Sequence, residues 1–188
     1  MLTPYQHPVC IISLSSPPLA SSSSSAAAAS RITTAVLFEN SALIPFVLEH
    51  GKDPVSGQPI SIREIITCLM DQDEEGRWQC PILTKPLTDH MKIVAVIQRE
   101  NQNNNINLTA NVYSYEAYHE LNVKAKNYQD LISGLKFHPQ KDVIVLNDPG
   151  NTELETLRDI NNFYHIRHAR EIEAQSKNSN NATSAHSG

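Results

Sequence analysis

Glycine, cysteine and tryptophan are scarce in this chain, at 6, 3 and 1 among 188 residues. Six glycines form no phosphate-cradling loop, which makes a nucleotide site a poor fit. Cys10, Cys68 and Cys80 are odd in number and far apart, a pattern of reduced intracellular thiols rather than a disulfide frame. A zinc cross-brace demands several Cys-x-x-Cys or Cys/His pairs, which three isolated cysteines exclude, and no metal or cofactor is expected. No apolar run approaches the roughly 20 residues that span a bilayer, so no membrane partner is expected either. Basic excess is also missing: 15 Lys and Arg against 20 Asp and Glu leave a net charge of −5 without a basic block. Direct nucleic-acid binding is therefore not expected, and a protein partner is. Nothing has the local signature of a catalytic triad, and no catalytic residue is assigned. His165 and His168 have no acidic or cysteine partner spaced beside them and read as surface histidines. Residues 1–35 contain no acid and carry Arg31 in a Ser/Ala-rich setting, which is also how an organellar transit peptide looks. Against that reading, His7 to Ile12 is a turn running into a short apolar strand.

What is present is organised around Val36 to Ile66. Val36 and Phe38 alternate like a strand, and Asn40 or Ser41 can cap a helix whose apolar positions Ala42, Leu43, Phe46 and Val47 recur at spacings of three and four. Gly51 ends that helix. Pro45 costs roughly 3 kcal/mol inside a helix, so it is placed in the first turn. Asp53 to Pro59 has turn chemistry throughout, and Ile60, Ile62, Ile65 and Ile66 return to the core. The exposed proline expected at 54 suits a plain turn and a protein-binding knob equally.

The same order returns between Asn111 and Leu146. Phe38-Glu39 recurs as Tyr115-Glu116 and Ile60 as Phe137, each 77 positions on, with Ile65-Ile66 meeting Val143-Ile144 at 78. Two modules follow, not an array. Each is near the lower size limit for a self-sufficient core, so the two should lean on one another. Module one spans 1–70 with a Ser/Ala insertion at 13–33, and module two spans 71–150 with an Asn-rich insertion at 98–110. Both insertions are read as expanded hairpin loops, whose closure cost grows slowly with length. A helical extension at 151–175 and a disordered Ser/Asn-rich tail at 176–188 complete the chain.

These residues resemble a U-box, the metal-free relative of the RING finger. The likeness lies in Tyr5-Gln6-His7-Pro8-Val9-Cys10, Val36-Leu37-Phe38-Glu39, Ile44-Pro45-Phe46 and Asp53 to Ile60. With Trp78 to Leu83, Ile93 to Val96, Asn111 to Ala117, Leu121 to Tyr128 and Asn161 to His165, the order is similar to the amino-terminal half of the nuclear U-box cyclophilins, the peptidyl-prolyl isomerase-like 2 type. The fold implied is α+β, two small U-box modules each built from a short β-hairpin and a central helix.

That resemblance implies a RING/U-box type ubiquitin-protein transferase in the nucleus, associated with the spliceosome and acting on protein substrates without a covalent intermediate. The surface implied for a ubiquitin-conjugating enzyme is Leu2 and Pro54 on loops of module one, Phe46 on its central helix and Ile82 in module two. The departures are specific. The chain starts inside the first loop of module one, Lys126-Asn127-Tyr128 and Ser133-Gly134 stand where module two would carry its Asp-Pro-Val loop, and no cyclophilin sequence is present. A second reading is therefore a non-catalytic scaffold of a nuclear pre-mRNA splicing complex.

Overall fold

The computed structural model describes residues 9–14, 33–102 and 105–182. Its strands are β1 (Val9–Leu14), β2 (Thr33–Glu39), β3 (Ile66–Leu69), β4 (Asp71–Gln72), β5 (Trp78–Gln79), β6 (Ile93–Gln102), β7 (Asn105–Ser114) and β8 (Val143–Asn147). The helices are α1 (Asn40–His50), α2 (Tyr115–Tyr118), α3 (Thr152–Arg158) and α4 (Tyr164–Ala182), with α2 continuing as a π-helical turn over His119–Lys124. The architecture is mixed α/β.

Six strands close into a ring in the order β1-β2-β8-β6-β7-β3. In the first half β1 lies between β2 and β3, antiparallel to both; in the second, β6 lies between β7 and β8 in the same way. The halves join through two parallel pairings, β2 with β8 and β3 with β7. Each joint thus pairs the second strand of one half with the third strand of the other, which relates the halves by an approximate twofold. Closure leaves no open edge among these six strands.

The ring explains why Ile93 to Ile97 is apolar without alternation. Ala95 and Ile97 face inward with Ala35, Ile66, Cys68, Ala110, Val112, Ile144 and Leu146. Val94 and Val96 face outward onto Cys80, Tyr113, Tyr118, Phe137 and Leu154. Both faces are buried, so no polar position is needed. The interior of a small ring is narrow, and Ala35, Ala95 and Ala110 meet there. This core draws on both halves, so the expected leaning of two small modules is in fact a shared interior. A smaller cluster under α1 joins Leu43, Val47 and Ile65, with Phe38, Ile44, Phe46 and Ile60 at its margin.

Several expectations change. Helix α1 starts at Asn40 after Glu39, whose side chain makes no capping bond, and Pro45 lies inside the helix beyond the first turn. Gly51 does end it, left-handed at φ 60°, with its amide bonded to the Val47 carbonyl at 2.8 Å. The insertion expected at 98–110 is not a loop: the ladder runs on to the pair Gln102 and Asn105. Pairing across strands satisfies the backbone of a polar hairpin, whatever its composition. Most of the 13–33 insertion lies outside the described residues, though β1 and β2 pair as the hairpin that flanks it, out to Leu14 and Thr34. The tail expected to be disordered from Ser176 is helical through Ala182, because extending a formed helix costs far less than starting one. The acidic connector Asp71–Gly76 belongs to a tight hairpin, β4–β5, in which Asp73 accepts the amides of Glu75 and Arg77, each at 2.9 Å.

Candidate functional site

One loop design occurs three times, at residues 51–60, 78–87 and 128–137. At its mouth an isolated bridge pairs Lys52 with Pro59, Gln79 with Pro86, and Gln129 with Lys136. Across it, the amides of Asp53, Cys80 and Asp130 donate to the carbonyls of Gln58, Lys85 and Leu135 at 2.9, 2.8 and 2.8 Å. The turn is completed by Gly57, Thr84 and Gly134, all at positive φ, whose amides donate to the carbonyls of Asp53, Cys80 and Asp130. Two glycines meet that backbone requirement without strain, and Thr84 adopts it at φ 51°.

The first and third loops also share a carboxylate brace. Asp53 accepts the amides of Val55 and Ser56 at 2.9 and 3.3 Å and the Ser56 hydroxyl. Asp130 accepts the amides of Ile132 and Ser133 at 3.2 and 2.8 Å and the Ser133 hydroxyl at 2.9 Å. The second loop expected to be missing from module two is therefore present. Asp53, Ser56 and Gly57 recur as Asp130, Ser133 and Gly134 at the same spacing of 77 that the aromatic matches have. That spacing, applied to the loop itself, was the overlooked signal. Proline is dispensable here because the carboxylate and the glycine set the turn.

Asp130 does more than Asp53. It is 3% exposed and also accepts the Tyr113 hydroxyl at 2.9 Å and the Asn111 amide at 2.8 Å, tying the loop to β7. Phe38, which precedes the N-cap Glu39 as Tyr113 precedes the N-cap Ser114, occupies that position in the first half, and it has no polar group to offer. Burial, then the neighbouring Asp130 carboxylate, pushes the Tyr113 hydroxyl well above the usual tyrosine range, so it is a committed donor. The π-helical turn is pinned from inside by Asn122, fully buried, whose amide donates to the carbonyls of Asn127 and Gln129 at 2.6 and 2.8 Å.

Of the residues expected to face a conjugating enzyme, Phe46 and Pro54 meet at His165 near the start of α4, and Ile82 lies apart on the outer core. Leu2 lies outside the described residues. Pro54 is buried, contrary to the exposed knob expected of it, because the start of α4 covers the loop: the amides of Tyr164 and His165 donate to the carbonyls of Val55 and Pro54 at 3.0 and 3.2 Å. Phe46 is half-buried between His50 and His165, with ring centroids 4.4 and 4.8 Å away. Ile82 is half-buried against the outer core that holds Cys80 and Val94. His165 and His168 do not act as a pair: His165 meets Phe46 and His50, and His168 stacks on Tyr164.

Two surface features remain. A groove of about 370 Å³ runs between β2, β8 and the segment after α3, lined by Val36, Leu37, Phe38, Leu146, Arg158, Ile160 and Phe163. Arg158 is committed in its wall, donating to the Asn147 side chain at 2.7 Å and to the Leu146 carbonyl. Around the third loop, Leu121, Val123, Tyr128, Ile132 and Leu135 are exposed apolar side chains, and Ile132 is 55% exposed. Among the described residues no group of three His, Cys, Asp or Glu could hold a metal, and no helix is long and apolar enough to cross a membrane.

No protein-family model matches the chain. It is 31% identical over 131 residues to peptidyl-prolyl cis-trans isomerase 4 of Caenorhabditis elegans, covering 70% of this chain and 22% of that protein. Over 184 residues it is 27% identical to peptidyl-prolyl cis-trans isomerase-like 2 of Aspergillus oryzae, covering 98% and 26%. Over 137 residues it is 30% identical to peptidyl-prolyl cis-trans isomerase CYP65 of Arabidopsis thaliana, covering 73% and 21%. The chain thus spans about a quarter or less of the length of these relatives. Their names correct the expectation of a ubiquitin-protein transferase and that of a splicing scaffold: they are named for isomerisation, and neither ubiquitin nor splicing enters. Over most of its own length, then, the chain is similar to proteins named peptidyl-prolyl cis-trans isomerase-like 2.

Proposed function

We propose that this chain is a protein-docking part of a longer protein of the isomerase-like 2 type, built as two U-box-like modules that share one strand ring. The named isomerase activity of the relatives is assigned to the longer protein. The observation that carries this reading is a rigid frame with an apolar rim. Asp130 and Asn122 hold the third loop and the π-helical turn from inside, while Leu121, Val123, Ile132 and Leu135 point outward. Such a rim, fixed before binding, loses little conformational entropy when a partner covers it. The carboxylate braces, doing without metal what a zinc site does elsewhere, support the U-box-like reading. The ring interior is filled by side chains that are almost wholly buried, which favours a scaffold over a ligand-holding barrel.

A photo-crosslinking residue at position 132 of the full-length protein, with one at Glu153 as control, tests this in cells. A discrete cross-linked protein is expected at 132 and not at 153, and the absence of any product at 132 overturns docking at this face. Catalysis of Ala-Pro isomerisation in a model peptide by the chain alone would overturn the assignment of that activity to the longer protein. A nuclear location is part of the same proposal, and imaging of the tagged full-length protein checks it.

A further inference from the structure

The chain contains its own example of what this loop design binds. On the loop 51–60 sits the first turn of α4, whose Tyr164 and His165 amides donate to the Val55 and Pro54 carbonyls. The Tyr164 ring lies over Gly57, where an added Cβ would come within 2.4 Å of it. The edge of the seat is Phe46, meeting the His165 ring edge-on. A glycine is needed there for two reasons, its φ of 74° and the ring above it.

The loop 128–137 repeats the same hydrogen bonds, so the carbonyls of Leu131 and Ile132 take the places of those of Pro54 and Val55. Gly134, at φ 70°, takes that of Gly57. Leu121, an exposed apolar side chain, stands seven positions past the N-cap Ser114 as Phe46 stands seven past the N-cap Glu39. Yet among the described residues a Cβ built on Gly134 would meet nothing within 4 Å. The seat has the same backbone, an apolar edge and open space where the first loop carries a ring.

The geometry points to the loop 128–137 as the seat for a helix start led by aromatic residues on a partner protein, its first two amides bonding the Leu131 and Ile132 carbonyls and its ring lying over Gly134. This rests on the docking reading and specifies the partner's chemistry. One difference shapes the preference: Lys52 places its ammonium 5.6 Å from the Tyr164 ring, and Gln129 stands in its place beside the open seat. Recognition at the second seat is thus by backbone and apolar contact rather than by cation–π attraction.

A peptide of this chain's residues 159–175 is the probe, titrated into the full chain and followed by amide NMR shifts. Saturable shifts are expected at 131–135. Binding should weaken about tenfold or more when the peptide carries Phe163→Ala with Tyr164→Ala, or when the protein carries Ile132→Arg. Ile132 is exposed, so that variant is expected to fold, and an unchanged spectrum elsewhere confirms it. No binding, or binding insensitive to Ile132→Arg, overturns the inference. Shifts confined to 51–60 mean that the peptide only exchanges with α4, and they overturn it as well. Dimers of the chain that Ile132→Arg abolishes would assign the seat to a second copy instead of a partner protein. A cross-linked partner at 132 combined with a peptide that does not bind would leave docking standing and remove this inference alone.

Discussion

Asp130→Ala is expected to destabilise the chain by about 3–8 kcal/mol, against about 1–2 kcal/mol for Asp53→Ala, although both carboxylates brace loops of the same design. Asp53 serves only its own loop, through the Val55 and Ser56 amides and the Ser56 hydroxyl. Asp130 makes the corresponding bonds and also receives the Tyr113 hydroxyl and the Asn111 amide, both from residues no more than 3% exposed. Deleting the carboxylate leaves those two donors buried without an acceptor, at about 1–3 kcal/mol each, beyond the roughly 1–2 kcal/mol lost in the loop. A domain of this size has a net stability of about 5–15 kcal/mol, so the loss is a large share of the whole. Urea denaturation followed by the fluorescence of Trp78 measures it, with unchanged m-values showing that the change is in stability. Adding Tyr113→Phe to Asp130→Ala should return about 1 kcal/mol by removing one orphaned donor, a coupling read from the double-mutant cycle. Equal losses for the two aspartates, within about 0.5 kcal/mol, or no coupling to Tyr113, would refute the reasoning.

Gly57→Ala and Gly134→Ala share the cost of a left-handed alanine, about 1 kcal/mol, but only the first drives a Cβ into the Tyr164 ring; hydrogen exchange at residues 164–168 should quicken in Gly57→Ala and stay unchanged in Gly134→Ala. Pro45→Ala restores a helical donor in the interior of α1 and should raise stability by about 1–2 kcal/mol, less than the full cost of a helix proline because the unfolded chain also gains freedom; calorimetry would show a higher Tm. Lys92, at 2.7 Å, holds the Asp148 carboxyl below its usual range, mainly through their hydrogen bond. A lowered folded-state value means that the contribution is complete above the ordinary 3.8 and is lost as the pH falls through the lower value in the folded chain. Lys92→Met should therefore flatten the stability profile in that acidic window and leave it parallel to wild type above it.

Much of the fold was legible because local physics and tertiary packing agreed. Gly51 ends α1 as its position implied, and the apolar run from Ile93 to Ile97 is a strand buried on both faces. The spacing of 77 holds for the braced loop in which the second copy looked deficient, but the matched Phe38 and Tyr115 fall on β2 and on α2, because the second half has two more residues between helix and loop. Composition misled at the Asn-rich stretch, where cross-strand bonds make a ladder of polar residues, and at Ser176 onward, where an existing helix carries poor helix formers along.

What the sequence determined by itself is therefore local or periodic: the turns set by Asp, Ser and Gly, the apolar faces, the doubling of one unit, and the scarcity of metal-ligand pairs. Tertiary structure alone decided that the two units close into one ring, because the parallel pairings of β2 with β8 and β3 with β7 join residues far apart in the chain. It also decided which of two like loops is open. Pro54 is covered because α4 happens to start above Gly57, and Ile132 is exposed because, among the described residues, nothing lies above Gly134. A loop's own residues set its shape, but only the path of the distant chain sets what rests upon it.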